Sequence, residues 1–457
     1  MYGTLFRNVL FPLYETRLRG RETLTRLQEL ERSQWRSEDD LRELNFRRMV
    51  EALRYAEQHV PFYRRRFAEH GVRVRDVQSP DDLLRFPVLT KSDLRAHGKE
   101  LLAEGFQGKL YQSGTSGSTG QPTRFYYDHR TYEARIAAAM RADGWAGAQV
   151  GEKELHVWSR NILPTSRAAQ LKMDLHTAIL RKKMVSAWEL HEEKLVQLLD
   201  EIAKYEPRVI IGYATPLYHL ARCALDHGKR ITPTLGIISS AERLFQHQRE
   251  MIEKAFETRV FDRYGCREVM LIAAECERHE GKHLNMENVF VEILRGGRHA
   301  RPGEPGEVLL TDLVNRSMPL IRYKNEDIAT YAGKRCSCGR GLPLLSSVEG
   351  RVLDMIVGPE GQLLAGEFFP HLFKDYPTVS RFQVHQDKQR AITLKLVPGD
   401  GFQAETPQLV EHTLRRYLGE RAVIKIQVVD DIPLTAAGKH RTTISEVPVD
   451  FEREATA

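Results

Sequence analysis

No apolar run in this 457-residue chain approaches the length that crosses a bilayer, so a transmembrane helix is not expected. The opening Met1-Tyr2-Gly3-Thr4-Leu5-Phe6 is broken by Arg7 and lacks a small-residue cleavage site, which argues against a secretory signal. Five cysteines are too few to staple a chain of this size with disulfides. Together these absences point to a cytoplasmic protein. Charge of one sign is also scarce, the net being +6. The arginines between residues 7 and 66 are mixed with acids and read as a solvated helical face rather than a surface for nucleic acid or an anionic membrane. No nucleic-acid partner is expected. With 41% apolar and 28% charged residues, the chain can bury a large core in two or three domains.

Residues 22–70 read as helices up to the breaker Val60-Pro61-Phe62-Tyr63, and Ser79-Pro-Asp-Asp and Thr90-Lys-Ser-Asp93 as helix N-caps. From residue 131 onward, helices at 131–146, 190–205, 216–227 and 245–256 alternate with strands at 155–158, 208–213, 235–239 and 259–262. That alternation predicts an α/β fold with a mostly parallel sheet. After Glu287 the strands 289–294, 306–313 and 320–331 follow one another through Gly/Pro turns, as in an antiparallel sheet or small barrel. A fresh start at Gly350-Arg351 leads into strands at 381–384, 391–396 and 423–429 and a helix at 407–418. The expected organisation is therefore a large domain, 1–349, and a small α+β domain, 350–457.

One stretch is chemically distinctive. Ser113, Gly114, Thr115, Ser116, Gly117, Ser118, Thr119 and Gly120 form an unbroken run of Ser, Gly and Thr, closed by Gln121-Pro122. Such a run cannot pack a core, but it bends sharply and gathers backbone N–H and hydroxyl donors, which suits a phosphate chain. It holds no lysine and is not a Walker loop. A flexible linker is the alternative reading.

Four further stretches follow it in order: Ser239-Ser-Ala-Glu-Arg-Leu244, Phe261-Asp-Arg-Tyr-Gly-Cys-Arg-Glu268, Leu320-Ile-Arg-Tyr-Lys-Asn-Glu-Asp327 and Leu434-Thr-Ala-Ala-Gly-Lys-His-Arg441. In this order, behind that loop, they resemble the adenylate-forming ligases. His59-Val-Pro-Phe-Tyr-Arg64, Ala274-Glu-Cys-Glu277 and Cys336-Ser-Cys-Gly-Arg340 narrow the resemblance to the phenylacetate-CoA ligase family and its CapK-like, capsular-biosynthesis relatives. The resemblance covers nearly the whole chain.

It implies that a small carboxylic acid attacks the α-phosphorus of ATP to give an acyl-adenylate. A nucleophile, coenzyme A in the leading reading, then displaces AMP. The alternatives are an amine or hydroxyl acceptor in cell-surface polysaccharide synthesis, and a nucleotide-binding protein without ligase activity. By the same resemblance, residues 113–120 hold the β- and γ-phosphates and Glu268 helps hold Mg²⁺. Ser240, Ala241, Glu242, Tyr264 and Gly265 line the adenine and acyl site. Asp327 takes the ribose hydroxyls, Arg351 beside the hinge reaches the nucleotide, and Lys439 arrives on a mobile C-terminal domain to stabilise the developing charge. Three positions depart from the family pattern: Arg267 stands where Thr usually precedes the acid, Leu353 falls in the hinge, and Ile356-Val-Gly-Pro-Glu-Gly-Gln-Leu363 replaces the Gly-rich pantetheine contact.

Cys276, Cys336 and Cys338 with one imidazole could form a tetrahedral zinc site, reduced cysteines near the surface being the alternative. Some relatives in the branch carry the same arrangement, and it selects His283, in Gly-x-His, over His279. Cys223 reads as core and Cys266 as a spacer. A homodimer associating through the N-terminal helices is allowed by the sequence but not dictated by it.

Overall fold

The structure, a computed structural model, describes residues 2–447 except 116–122, 159–166, 187–191, 232–234, 352–355, 361–362, 365–368, 370–371, 374–375, 377 and 434–441. The chain divides into two compact units. One comprises Met1–Leu294, Arg298–Asn325 and Thr330–Ser347, the other Arg295–Gly297, Glu326–Ala329 and Val348–Ala457.

In the first unit, a short α1 (Tyr2–Leu5) opens the chain, and helices α2 (Thr23–Ser33), α3 (Glu38–His59) and α4 (Pro61–Glu69) form where the sequence anticipates them. Ser37 caps α3 by accepting the Asp40 N–H, and Pro61 opens α4, where a missing N–H costs nothing. Leu41, Met49, Leu53 and Ala56 line the buried side of α3. Both anticipated caps are present. Asp82 accepts the Ser79 N–H ahead of the turn Pro80–Arg85, and Thr90 and Asp93 cap α5 (Lys91–Ala96) reciprocally.

A hairpin follows, β1 (Tyr111–Thr115) with β2 (Thr123–Tyr127). Next comes α6 (His129–Trp145), capped by the Asp128 carboxylate on the Thr131 N–H. The parallel strands are β3 (Glu154–Trp158), β4 (Lys182–Ser186), β5 (Val209–Gly212), β6 (Gly236–Ser239) and β7 (Val260–Cys266). β5 and β6 are buried at every position, which is why they read as continuous apolar runs rather than as alternations. Helices α7 (Arg167–Ile179), α8 (Glu192–Tyr205), α9 (Ala214–Asp226) and α10 (Gln246–Phe256) run between them. Leu195, Leu199, Ile202, Leu217, Leu220, Ile252 and Phe256 pack with Leu155, Ile210 and Ile237 in one core.

From β7 the sheet turns antiparallel through β8 (Met270–Glu275) and β9 (Lys282–Leu284). It continues with β10 (Val289–Arg295), β11 (Arg298–His299), β12 (Pro305–Asp312), β13 (Tyr323–Tyr331) and β14 (Leu344–Arg351). The whole sheet has twelve strands in the order β11-β10-β12-β13-β14-β9-β8-β7-β6-β5-β3-β4. The late strands thus extend the edge of the parallel sheet.

In the second unit, β17 (Val379–Gln386) and β18 (Ile392–Pro398) pair antiparallel, flanked by β19 (Ile424–Val428) and β20 (Thr443–Ser445). Ile392, Leu394 and Leu396 alternate onto the buried face of β18, under Val410, Leu414 and Leu418 of the helix Thr406–Leu418. Two short strands, β15 (Ile356–Val357) and β16 (Leu363–Leu364), pair beside them.

Candidate active site

The carboxyl ends of parallel strands are where open α/β sheets bind ligands. Trp158, at the end of β3, stacks on Tyr213 just beyond β5, with ring centroids 4.4 Å apart. Ser239 closes β6, fully buried, and its Oγ has no hydrogen-bond partner among the described residues. A buried hydroxyl left without a partner marks a place where a ligand's polar atom would be welcome.

The next residues turn the chain. The Ser240 N–H donates to Gly212 O at 3.0 Å, and Ala241 adopts φ +65°, a left-handed conformation uncommon for a residue with a Cβ. The turn sets the Glu242 carboxylate against the first turn of α9, where Oε2 accepts the Thr215 N–H at 2.9 Å. An acid at a helix N-terminus is favourable there. Glu242 therefore has structural work, whatever it does for a ligand.

The hairpin holds the first residues of the Ser/Gly/Thr run. Ser113 pairs with Phe125 and Gly114 with Arg124; the Thr115 side chain and residues 116–120 lie outside the described residues. The Arg267 guanidinium reaches across 153 positions to donate to Gly114 O at 3.1 Å. This bond brings the base of the run beside the β7–β8 turn, which holds Glu268.

Glu268 is buried, 4% exposed, and its Oε1 accepts the Tyr323 hydroxyl at 2.7 Å. One layer away, Asn325 Nδ2 donates to the Tyr264 hydroxyl at 2.8 Å. Gly265 admits no side chain, because a Cβ there would stand 2.0 Å from Met270 O. Tyr323 is itself anchored through its neighbour. Arg322 is buried and grips the Glu292 carboxylate through Nε and Nη2, at 3.0 Å for each shortest contact, while Nη1 donates to Phe86 O.

Tyr323, Asn325 and Arg322 are site-building residues beyond those singled out from sequence. Their signal was an arginine and an asparagine set among the apolar residues of Leu320-Ile-Arg-Tyr-Lys-Asn. Among the sequence-selected residues, the structure brings together Gly114, Tyr264, Gly265 and Glu268. Asp327 lies half-buried on β13, in the second unit. Arg351 ends β14 with its side chain outside the described residues, and Lys439 is outside them altogether.

The four residues chosen for a metal do converge. The ligand atoms of Cys276, His283, Cys336 and Cys338 all lie within 4.8 Å of one another. Cys276 and Cys336 sulfurs are 3.7 Å apart, and Cys338 Sγ is 3.4 Å from His283 Nε2. Tetrahedral zinc with thiolate bonds of about 2.3 Å separates its sulfurs by about 3.8 Å, so the pocket has the right size. The surroundings fit as well. His283 Nδ1 donates to Leu342 O at 2.9 Å, which leaves Nε2 as the lone-pair side, and burial lowers this imidazole to a pKa of about 4, keeping it neutral at pH 7. The N–H groups of Arg278 and Arg340 point at Cys276 and Cys338 sulfurs. Burial alone would raise the Cys338 thiol, but these Arg340 contacts bring it below its ordinary value, whereas burial dominates at Cys276 and raises it. His279 instead pairs with Glu275 at 3.2 Å. All five cysteines are free thiols. The Arg340 guanidinium also sits over Trp35 and Trp145, 4.9 and 5.0 Å from their ring centroids, tying the Cys-x-Cys turn to α6 and to the end of α2.

Comparison with known proteins adds to this geometry. Residues 356–446 match the family described as the CapK C-terminal domain. Protein CapK of Staphylococcus aureus is 23% identical over 422 residues, 90% of each chain. The phenylacetate-coenzyme A ligase of Pseudomonas putida is 28% identical over 339 residues, 70% of this chain and 73% of that one. Among solved structures, 2-hydroxyisobutyryl-CoA ligase in its postadenylation state with 2-HIB-AMP superposes with a TM-score of 0.70 at 21% identity, covering 90% of both chains. The α/β architecture with its smaller C-terminal unit is that of these ligases.

Proposed function

From the likeness to CapK and the phenylacetate-coenzyme A ligases, we infer an adenylate-forming acid ligase that activates a small carboxylic acid with ATP and passes the acyl group to coenzyme A. The observation that carries this reading is the Arg267–Gly114 bond, which sets the phosphate-loop hairpin beside a buried, hydrogen-bonded Glu268.

Two anions must meet in the first step, so positioning and charge neutralisation do most of the work. The 113–120 run supplies donors for the pyrophosphate portion of ATP. Tyr323 holds the Glu268 carboxylate in a fixed orientation, and Glu268 would hold Mg²⁺, a hard cation that neutralises phosphate charge when bound. Arg267 adds a cation at the base of the loop, where the family pattern has a neutral Thr. Asp327 accepts from the ribose hydroxyls, Arg351 reaches the nucleotide, and Lys439 offsets charge that develops at the α-phosphate and carboxylate. In this reading residues 1–349 form the ATP and acyl domain, and 350–457 the smaller domain that swings Lys439 into place from the Gly350-Arg351 hinge. Cys276, His283, Cys336 and Cys338 would hold a structural zinc ion, since four protein ligands leave no open position for catalysis. ATP use and thiol chemistry both suit a cytoplasmic enzyme. Of the described residues, no helix is long and apolar enough to cross a membrane.

A second reading keeps the adenylate but transfers the acyl group to an amine or hydroxyl of a cell-surface precursor. It is favoured by the CapK relative, which spans 90% of both chains, and by the CapK C-terminal match over the unit that would receive the acceptor. ATP–pyrophosphate exchange over a panel of carboxylates tests both readings at once. Exchange with at least one acid is expected, and AMP release on adding coenzyme A selects the first acceptor. Exchange without that release selects the second, and no exchange with any acid in the panel defeats adenylation.

A further inference from the structure

A cavity of about 720 Å³ opens in the first unit, beside the hairpin that begins the Ser/Gly/Thr run. Its walls are Leu94 and Arg95 of α5, Lys99 and Leu102 of the turn that follows, and Arg124 and Tyr126 of β2. Arg124 and Tyr126 are two apart on the strand and so share one face. Leu94 is buried, and Leu102 and Tyr126 are half-buried against the core, which gives the cavity an apolar floor. The turn is held by backbone bonds. The Leu101 N–H donates to His97 O at 3.1 Å, and the Phe62 N–H of α4 to Glu100 O at 3.2 Å.

The polar part of the lining is positive. Arg95, Lys99 and Arg124 are exposed, and none of them makes an ion pair or a side-chain hydrogen bond among the described residues. The acid in the lining, Glu100, is taken by Arg65 of α4 at 2.5 Å, with His97 at 3.1 Å. The neighbouring acids are also engaged. Asp93 accepts the Thr90 N–H and pairs with Arg66, and Glu104 pairs with Arg64. Acids of this stretch therefore turn toward α4, and the three cations keep their charge for the cavity.

A lone phosphate would leave most of this volume empty, whereas a nucleotide is of the right size. Guanidinium forks and an ammonium suit phosphate oxygens, and a tyrosine ring over an apolar floor suits a base. The place is informative too. Arg124 pairs across the hairpin with Gly114, whose carbonyl accepts from Arg267 next to Glu268. In the ligase reading the phosphates of ATP fall to residues 113–120, so a second nucleotide would come with the acyl acceptor. Coenzyme A carries a diphosphate and a 3′-phosphate, and a nucleotide-activated sugar carries a diphosphate.

We propose that the cavity between α5 and β2 holds the phosphate-bearing nucleotide end of the acyl acceptor, with Arg95, Lys99 and Arg124 on its phosphates. This rests on the ligase reading and adds to it the point where the acceptor is gripped, at the end away from its reacting atom.

The full-length protein, with Mg²⁺ and AMP, is titrated in a calorimeter with coenzyme A, 3′-dephospho-coenzyme A and UDP-N-acetylglucosamine. Either coenzyme A or the nucleotide sugar is expected to bind, and Arg95→Gln with Lys99→Gln should weaken that binding about tenfold or more. Both side chains are exposed, so folding is not at stake, and Arg124→Gln on the facing wall should act in the same direction. Tighter binding of coenzyme A than of its dephospho form, with the gap closed in the double variant, identifies coenzyme A as the source of the phosphates. Tighter binding of the nucleotide sugar, lost in the same variant, identifies the other source. Pyrophosphate exchange and ATP affinity should be unchanged in the double variant, because no acceptor takes part in either. The proposal is overturned if neither acceptor binds, or if the variants bind it as the wild type does. It is also overturned if ATP affinity falls by the same factor, because the cavity then serves ATP. Absence of exchange with every acid defeats the ligase reading instead, and the titration still decides what the cavity holds.

Discussion

Tyr323 is the residue whose removal tests the site most cleanly, because its hydroxyl makes a defined bond to Glu268 and its ring fills a buried position. Tyr323→Phe keeps the ring. The expected result is a drop of about tenfold in adenylation with a higher Mg²⁺ requirement, read in exchange assays at graded metal concentrations. A wild-type metal profile would mean that the hydroxyl only satisfies packing. Lys439→Ala should cost about 10²–10³ in adenylation while ATP affinity changes a few-fold at most, since the lysine acts on charge that develops in the reaction. ATP titration beside the exchange assay separates the two effects. At this scale the sequence was informative about acids and cysteines but not about what orients them. Glu268 was selected by motif order, and the Cys/His set by its ligand chemistry and the arrangement of relatives, whereas Tyr323, Arg322 and Asn325 act through contacts 30 to 236 positions away that periodicity does not encode.

Helix α6 shows how an element is held by one side chain. Arg141 is buried and forks onto Glu287, with Nη1 2.7 Å from Oε1 and Nη2 3.0 Å from Oε2, while Nη1 also donates to Leu30 O of α2. Burial alone would raise the Glu287 carboxyl, but Arg141 and the Ser33 hydroxyl outweigh it and hold its pKa below the ordinary glutamate value. A depressed folded-state pKa stabilises above the unfolded value, so this contribution is complete above about pH 4.5 and fades as pH falls below it. Glu287→Gln should cost about 3–5 kcal/mol near neutrality, by leaving the guanidinium without its counter-charge, and should flatten the acid side of the stability profile in urea titrations at several pH values. Arg141→Lys is no substitute, because an ammonium cannot fork.

The cysteine cluster is the other element-scale test. Protein purified without a histidine tag should contain about one zinc, and Cys338→Ser should lose most of it along with several degrees of melting temperature. Freely titrating thiols in metal-free wild-type protein with an unchanged melting curve would remove the site. Elements themselves were unevenly legible. The caps at Ser79 and Thr90 and the buried strands β5 and β6 were read correctly from local chemistry. β8, β9 and β14 were missed, since Met270–Glu275 and Lys282–Leu284 are short and take their register from partners far along the chain.

At the scale of the whole molecule, the division into an α/β part and a later α+β part was legible because hydrophobic period and turn composition both change along the chain. The joining of the antiparallel strands to the parallel sheet was not, because strand order is a property of pairing rather than of any one segment. That order bears on how the protein is made. β13 and β14 stand between β12 and β9, so strands synthesised late fill the middle of a sheet whose two sides are synthesised earlier. Until about residue 351 has left the ribosome, β9 and β12 present unpaired edges. A chain stopped at residue 318 is therefore expected to aggregate during expression and to require a holdase chaperone, and its solubility measured beside that of the full chain tests this directly. Ribosome pausing ahead of residues 323–351 would lengthen the exposure, and the yield of soluble protein should follow the translation speed of that short interval.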